Sequence, residues 1–138
     1  MIGILIISHG TLGESLIHCA SHMLNKRPPR LRQIGVTAQD DPLQLVPQAR
    51  KMIKDLDDGE GVLVLTDMYG ATPSNTLCRL LEPAHIEGVS GVNLPMLLKA
   101  LNYRETLALP QLIERIVQGG RNSINHISET MCHAATGR

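Results

Sequence analysis

Two polar side chains each follow a run of apolar residues that is typical of a buried β-strand. His9 follows residues 2–7 after one intervening residue, Ser8, and Asp67 comes directly after residues 61–66. In an open parallel sheet the carboxyl ends of the strands share one edge, and ligands bind there. An imidazole at such an edge can act as a nucleophile, a base or a metal ligand near neutral pH. The alternatives are a histidine that only bonds a loop carbonyl and an aspartate that only caps a turn.

The two residues are predicted to form a catalytic pair. The common strand orders of doubly wound sheets place the first and third strands next to each other, so that His9 and Asp67 would face each other. An aspartate beside an imidazole accepts one ring N–H, fixes the tautomer and leaves the other ring nitrogen free to attack. It also stabilises the positive charge that develops on the ring.

The segment after Asp67 has features of an anion-binding loop. Gly70 permits a backbone turn that a larger residue resists. Thr72 is predicted to be the N-cap of a helix that begins with Pro73, and the free amides of such a start bind phosphate. Gly70, Ala71 and Thr72 are therefore candidate phosphate-binding residues, with plain helix capping as the alternative. The Gly-x4-Gly-Lys-Ser/Thr pattern of a P-loop is absent.

Together these features indicate phosphorylation of a histidine. The sequence supplies a nucleophilic imidazole in His9, a carboxylate in Asp67 that orients it, and a helix start that could hold a phosphoryl group. We identify no second base that would activate water.

Other candidate ligands are weaker, and we expect no metal ion and no cofactor. Glu14, His18 and His22 share one helix face, which favours a solvated stripe over a metal site. The cysteines lack the spacing of a metal site and are predicted to be reduced thiols: Cys19, Cys78 and Cys132.

The elements that position these residues alternate between strand and helix. Strands are predicted at residues 2–7, 31–37, 61–66 and 85–92, and residues 106–109 could add a short fifth strand. Helices are predicted at about 12–25, 42–56, 72–81 and 95–101, and from 110 onward. The predicted fold class is α/β, a doubly wound, mainly parallel four-stranded sheet with helices on both faces. We expect one domain at residues 1–127 and a mobile tail at 128–138.

The composition excludes several classes of function. The chain of 138 residues has 13 basic and 13 acidic residues, a formal net charge of zero, and two tyrosines as its only aromatic side chains. Without a basic stripe or a stacking platform, we expect no nucleic acid partner. No apolar run is long enough to span a bilayer, and the N-terminus lacks the features of a signal peptide. We therefore predict a cytoplasmic protein with no direct membrane insertion.

The order and spacing of four short motifs resemble one known family. The motifs are the apolar strand ending in His9-Gly10, the strand from Val62 to Asp67, Gly70 with a hydroxyl residue and Pro73-x-Asn75, and the segment from Gly91 to Met96. Over roughly residues 1–127, the chain resembles the IIA component of the mannose-type (mannose/fructose/sorbose) bacterial phosphotransferase system.

The resemblance implies a phosphohistidine carrier in sugar transport. His9 would accept a phosphoryl group from the phosphocarrier HPr and pass it to a IIB protein. Asp67 would hold His9, and Thr72 stands where the family usually has a serine near the phosphate. The resemblance also implies a homodimer that exchanges a short C-terminal antiparallel strand, for which Thr106–Leu109 is the candidate.

Two loop residues depart from the family pattern. Tyr69 stands where a tryptophan is frequent, and Ala71 stands where a glycine is frequent. The methyl group of Ala71 would lie beside the phosphate and restrict the loop.

Other functions remain open at this point. A regulatory sensor of phosphorylation, without sugar transport, would share all of these motifs. A histidine phosphatase also has a His-Gly after its first strand, but it needs an adjacent arginine where this chain has Ser8. A phospho-receiver domain needs an acidic pair at the same place, and a small chelatase that used His9 would need further ligands.

A carrier of this kind must bind partner proteins around its histidine. We predict a docking face built from the loops at residues 11–12, 68–71 and 93–96. Its exposed apolar side chains are predicted to be Leu12, Met68, Tyr69, Leu94 and Met96.

Overall fold

The four apolar runs of the sequence form one parallel sheet. In the computed structural model, which describes residues 1–136, the strands are β1 (Gly3–His9), β2 (Leu31–Val36), β3 (Val62–Thr66) and β4 (Ile86–Val89). Their order is β2-β1-β3-β4, and each neighbouring pair is parallel. The central position of β3 explains why every one of its side chains is buried.

Helices cover both faces of this sheet. They are α1 (Leu12–Leu24), α2 (Pro42–Leu56), α3 (Thr72–Cys78), α4 (Leu94–Tyr103), α5 (Leu109–Asn122) and α6 (Glu129–Thr136). Alternate side chains of β1 point to opposite faces, so that Ile4 and Ile6 pack with α1, α4 and α5, while Leu5 and Ile7 pack with α2 and α3. The predicted doubly wound α/β class is confirmed.

The register of the sheet brings the ends of β1 and β3 together. Ile7 pairs with Thr66, the last residue of β3, and Asp67 follows immediately. On the other side of β1, His9 pairs with Val36, the last residue of β2. His9 therefore lies at the carboxyl edge of the sheet, between the ends of two neighbouring strands.

Two predicted strands end differently in the structure. β4 stops at Val89, because Gly91 has a φ of 78° and turns the chain toward α4. Thr106–Leu109 is not a strand. The N–H groups of Thr106 and Leu107 both donate to the carbonyl of Tyr103, which closes a turn, and α5 begins at Leu109. The exchanged strand that the sequence analysis placed there is not confirmed.

The segment predicted as a mobile tail contains a helix. Ser128 caps α6, since its Oγ accepts the N–H of Met131 at 3.2 Å and its carbonyl accepts the N–H of Cys132 at 2.9 Å. The side chains of residues 129–134 are exposed. The domain boundary at residue 127 remains a prediction, and the last two residues of the predicted tail lie outside the described residues.

A buried arginine binds backbone carbonyls at the amino edge of the sheet, opposite His9. Arg104 follows α4 and is 3% exposed. Its guanidinium donates to the carbonyls of Pro29 at 2.6 Å and Arg30 at 3.2 Å, at the start of β2. Burial lowers the pKa of this guanidinium below its ordinary value. The contacts join the end of α4 to the amino edge of the sheet.

Within residues 1–136, no helix is long and apolar enough to cross a bilayer.

The packing of α5 yields a test of the fold. Leu112 is fully buried, so Leu112→Ala should lower the free energy of unfolding by about 2–5 kcal/mol in urea denaturation. The matched control is Leu43→Ala, because Leu43 is 60% exposed and its truncation should cost about 0.5 kcal/mol or less. Equal losses in the two variants would contradict the place of α5 in the core.

Candidate functional site

His9 and Asp67 meet at the carboxyl edge of the sheet. Nδ1 of His9 lies 2.8 Å from Oδ2 of Asp67, and the backbone N–H of His9 donates to the same oxygen at 3.0 Å. One carboxylate oxygen therefore holds both the ring and the main chain of His9. The structure brings together the pair that strand order and strand ends predicted.

The carboxylate of Asp67 is held as well. Its Oδ1 accepts the N–H of Met68 at 3.0 Å, and its side chain is 13% exposed. Partial burial acts to raise the pKa of this carboxyl, but the hydrogen bonds from the backbone and ring of His9 outweigh burial, so that the pKa lies below its ordinary value. Asp67 is therefore ionised at neutral pH.

The bond to Asp67 decides which ring nitrogen of His9 can react. A carboxylate accepts a hydrogen bond only from a protonated nitrogen, so the neutral ring carries its proton on Nδ1. The lone pair then lies on Nε2. The side chain of His9 is 51% exposed, which leaves Nε2 open to a reactant.

Two glycines shape the turn after His9. Gly10 has a φ of 56°, and its N–H donates to the carbonyl of Val36 at 2.9 Å. A Cβ at Gly35 of β2 would collide with the carbonyl of Gly10. The sequence analysis did not single out Gly35, although a glycine inside a strand often marks such a close approach of backbone.

The loop between β3 and α3 differs from its prediction in detail. Gly70 has a φ of 86°, as its predicted turn requires. Ala71 is the N-cap of α3 and Thr72 is its first helical residue, so the prediction of Thr72 as the cap is wrong. The reason is that Ala71 is the last residue with extended backbone, at φ −111° and ψ 176°. After Asp67, residues 68–71 of this loop make no hydrogen bond to the ring of His9.

The amide of Gly70 is already engaged within the protein. Its N–H donates to Oγ of Ser74 at 2.8 Å. Pro73 has no N–H, so the amides without an intrahelical partner at the start of α3 belong to Ala71, Thr72 and Ser74. Gly70 thus shapes the loop and offers no amide to a ligand in this conformation. Ser74 was not singled out from the sequence.

Residues 3–117 match the model of a family described as the PTS system fructose IIA component, where PTS denotes the phosphotransferase system. The chain belongs to this family.

Curated relatives agree with this membership. The mannose-specific EIIAB component of Escherichia coli K12 is 29% identical over 125 residues, which cover 89% of this chain and 38% of that protein. The fructose-specific EIIA component of Bacillus subtilis is 29% identical over 130 residues, which cover 94% of this chain and 88% of that protein. The chain therefore spans less than half the length of the first relative.

Solved structures share the fold. The phosphotransferase system component EIIA of Streptococcus agalactiae superposes with a TM-score of 0.81 at 23% identity, covering 91% of this chain and 97% of that one. The mannose/sorbose-specific IIA subunit of Enterococcus faecalis gives a TM-score of 0.78 at 21% identity, covering 92% and 95%.

The predicted docking face is only partly present in this IIA chain. Leu12, Met68 and Tyr69 are 42%, 58% and 79% exposed. Met96 is 5% exposed and belongs to the core, and Leu94 packs against that core. The prediction for Met96 is wrong. Oδ1 of Asn93, the N-cap of α4, accepts the N–H of Met96 at 2.9 Å, and the helix that begins there directs the side chain of Met96 toward α5.

A second histidine–aspartate pair lies at the opposite edge of the sheet. Nε2 of His85 is 2.5 Å from Oδ2 of Asp57, at the amino end of β4. Oδ1 of Asp57 accepts the N–H groups of Gly59 at 2.9 Å and Gly61 at 3.2 Å, so this carboxylate organises the turn into β3. The pair shares no residue with the site of His9.

The other candidate ligands do not converge on a metal site. Glu14, His18 and His22 are exposed on α1. In the part of the chain that the structure describes, no three side chains of His, Cys, Asp or Glu are placed to hold a metal ion.

The lowered pKa of Asp67 predicts a pH dependence of stability. The unfolded chain binds more protons than the folded chain in acid, so Asp67 contributes stability above its unfolded pKa of about 3.9 and loses it as the pH falls through the folded pKa. Asp67→Asn should remove this loss. Urea denaturation at a series of values from about pH 6 to pH 3 should give a steeper decline for the wild type than for the variant. Parallel declines would contradict the assignment.

Proposed function

We propose that this protein is a phosphohistidine carrier, which accepts a phosphoryl group on Nε2 of His9 and passes it to a second protein. The observation that carries the proposal is the bond from Nδ1 of His9 to Asp67, which leaves Nε2 as an exposed nucleophile. Membership of the IIA family supports the same chemistry, and the resemblance names HPr as the donor and a IIB protein as the acceptor.

The transfer proceeds in two displacements at phosphorus. The lone pair of Nε2 attacks the phosphoryl group of the donor, and the bond from phosphorus to the donor breaks with its electron pair. His9 keeps its proton on Nδ1 and becomes positively charged, and the carboxylate of Asp67 stabilises that charge. The acceptor protein then attacks phosphorus, and the bond to Nε2 breaks, which restores the neutral ring.

The loop after Asp67 would receive the phosphoryl oxygens. Ala71 and Thr72 are placed at the start of α3, where amides and the hydroxyl of Thr72 can donate. Gly70 contributes through its turn, since its own N–H is bonded to Ser74. Among the three phosphate-binding residues that the sequence predicts, Gly70 therefore has an indirect role in this proposal.

The reactant that delivers the phosphoryl group is proposed to be a protein. Leu12, Met68 and Tyr69 supply exposed apolar surface in the segments that adjoin His9 and Asp67. Exposed apolar side chains around a polar centre are typical of a transient protein interface.

A homodimer is also proposed, on the resemblance to the family. Among the described residues β4 is an edge strand, with β3 on one side; the other side carries the bridge from Ile86 to Glu82, and beyond that bridge no strand covers it. Thr106–Leu109 does not supply the exchanged strand, because it forms the turn before α5.

The site of phosphorylation can be tested by intact-mass measurement. After incubation with phosphoenolpyruvate, enzyme I and HPr, the wild type should gain one phosphoryl group as an acid-labile, base-stable phosphoramidate, and His9→Ala should gain none. The matched control is His85→Ala, which breaks the other histidine–aspartate pair and should still be phosphorylated. A full adduct on His9→Ala would show that another residue is the acceptor.

The role of Asp67 predicts a kinetic defect. Asp67→Ala should slow phosphoryl transfer about 10²- to 10⁴-fold, the usual contribution of an orienting group, while the domain stays folded. Thr72→Ala should have a smaller effect because the backbone amides remain. Rapid-quench measurement with phospho-HPr gives both rates. An unchanged rate in folded Asp67→Ala would show that Asp67 has no role in transfer and acts only in the turn.

A further inference from the structure

Ser74 is placed where one hydroxyl can control the loop after Asp67. It is the third residue of α3, and it is 3% exposed. Its Oγ accepts the N–H of Gly70 at 2.8 Å and donates to the carbonyl of Ala71 at 3.0 Å. A single buried hydroxyl therefore ties two successive loop residues to the helix that follows them.

The loop is anchored at both of its ends. At its start, Oδ1 of Asp67 accepts the N–H of Met68, while Oδ2 holds His9. At its end, Ser74 holds the two residues before α3. Between the anchors, Met68 and Tyr69 extend into solvent and are 58% and 79% exposed. The conformation of the loop depends on these two anchors.

No other side chain at the start of α3 takes the place of Ser74. The N-cap is Ala71, whose methyl group cannot accept a hydrogen bond, and the structure describes no capping bond there. Thr76 bonds within the helix, from its Oγ1 to the carbonyl of Thr72 at 2.9 Å. Ser74 reaches back toward the chain before the helix as the N3 residue of a capping box does, but it accepts the N–H of Gly70, one residue before the cap.

The loop would be loose without this hydroxyl. Gly70 has no Cβ and a φ of 86°, so its backbone has access to many conformations once its N–H is released. If a reaction needs one of these conformations, its observed rate is the rate in that conformation multiplied by the fraction of molecules that adopt it.

We propose that Ser74 is a positioning residue for phosphoryl transfer. Its hydroxyl holds Gly70 and Ala71 so that the loop leaves Asp67 in one conformation, and it keeps the N–H of Gly70 turned into the protein. Ser74 acts through these two residues and does not touch the phosphoryl group. The inference rests on the proposed function of His9.

The experiment compares Ser74→Ala with Ser74→Thr, which keeps a hydroxyl, and with Ser21→Ala. Ser21 is the matched control because its Oγ donates to the carbonyl of Ile17 on α1 at 2.7 Å, away from the loop. Two quantities are measured in each protein. They are the exchange rate of the Gly70 amide by nuclear magnetic resonance and the single-turnover rate of phosphorylation at a series of phospho-HPr concentrations.

Ser74→Ala should raise the exchange rate of the Gly70 amide roughly 3- to 10-fold, as expected when one hydrogen bond of ordinary strength is lost. The limiting rate of phosphorylation should fall by a similar factor, about 3- to 10-fold, while the half-saturating concentration of phospho-HPr changes less than about two-fold. Ser74→Thr should restore both quantities, and Ser21→Ala should change neither. If Ser74→Ala folds poorly, Ser74→Cys takes its place in the experiment. Its thiol fills the site with a weaker hydrogen-bonding group. The exchange rate and the limiting rate should then change in the same directions as expected for Ser74→Ala, but by less.

Two results would overturn the proposal. One is a folded Ser74→Ala that loses protection at Gly70 but keeps the wild-type limiting rate, which would make the hydroxyl a structural element only. The other is a Gly70 amide whose exchange is unchanged in Ser74→Ala. Failure of the proposed function gives a different result, in which the wild type takes no phosphoryl group on His9 while the exchange rates still decide whether Ser74 holds the loop.

Discussion

One carboxylate oxygen of Asp67 accepts two hydrogen bonds from His9, one from the ring and one from the main chain. This arrangement fixes the position of the histidine and the nitrogen that carries its proton. Because the same bonds hold the pKa of Asp67 below its ordinary value, the negative charge is present whenever the ring becomes positive. The proposed chemistry depends on this contact between the ends of two neighbouring strands.

The second pair, His85 and Asp57, shows that the contact alone does not define a site. Its nitrogen–oxygen distance of 2.5 Å is shorter than the 2.8 Å of the first pair, but it lies at the amino edge of the sheet. Asp57 there accepts hydrogen bonds from the backbone N–H groups of a turn and stabilises that turn. At the carboxyl edge His9 is followed by Gly10 and by the start of α1, and the exposure of the two rings is similar, 51% for His9 and 42% for His85. The position in the parallel sheet separates the two pairs.

The site combines rigid and adaptable parts. His9 and Asp67 are carried on β1 and just after β3, strands whose apolar side chains are buried on both faces of the sheet. The loop after Asp67 has less support, because Met68 and Tyr69 lie in solvent and Gly70 is held through its hydrogen bond to Ser74. The proposed carrier role needs a fixed nucleophile beside a surface that fits both proposed partner proteins, and the division between strand and loop is suited to these two needs.

The amino-acid sequence by itself determined the fold class and the pairing of His9 with Asp67. Buried parallel strands are continuous apolar runs, and the residues that follow them must collect at one edge. Tertiary structure alone decided that Thr106–Leu109 is a turn, that Met96 faces the core, and that Ser74 binds Gly70. These outcomes depend on the rotation of each helix about its axis and on hydrogen bonds between residues whose partners a local pattern does not specify.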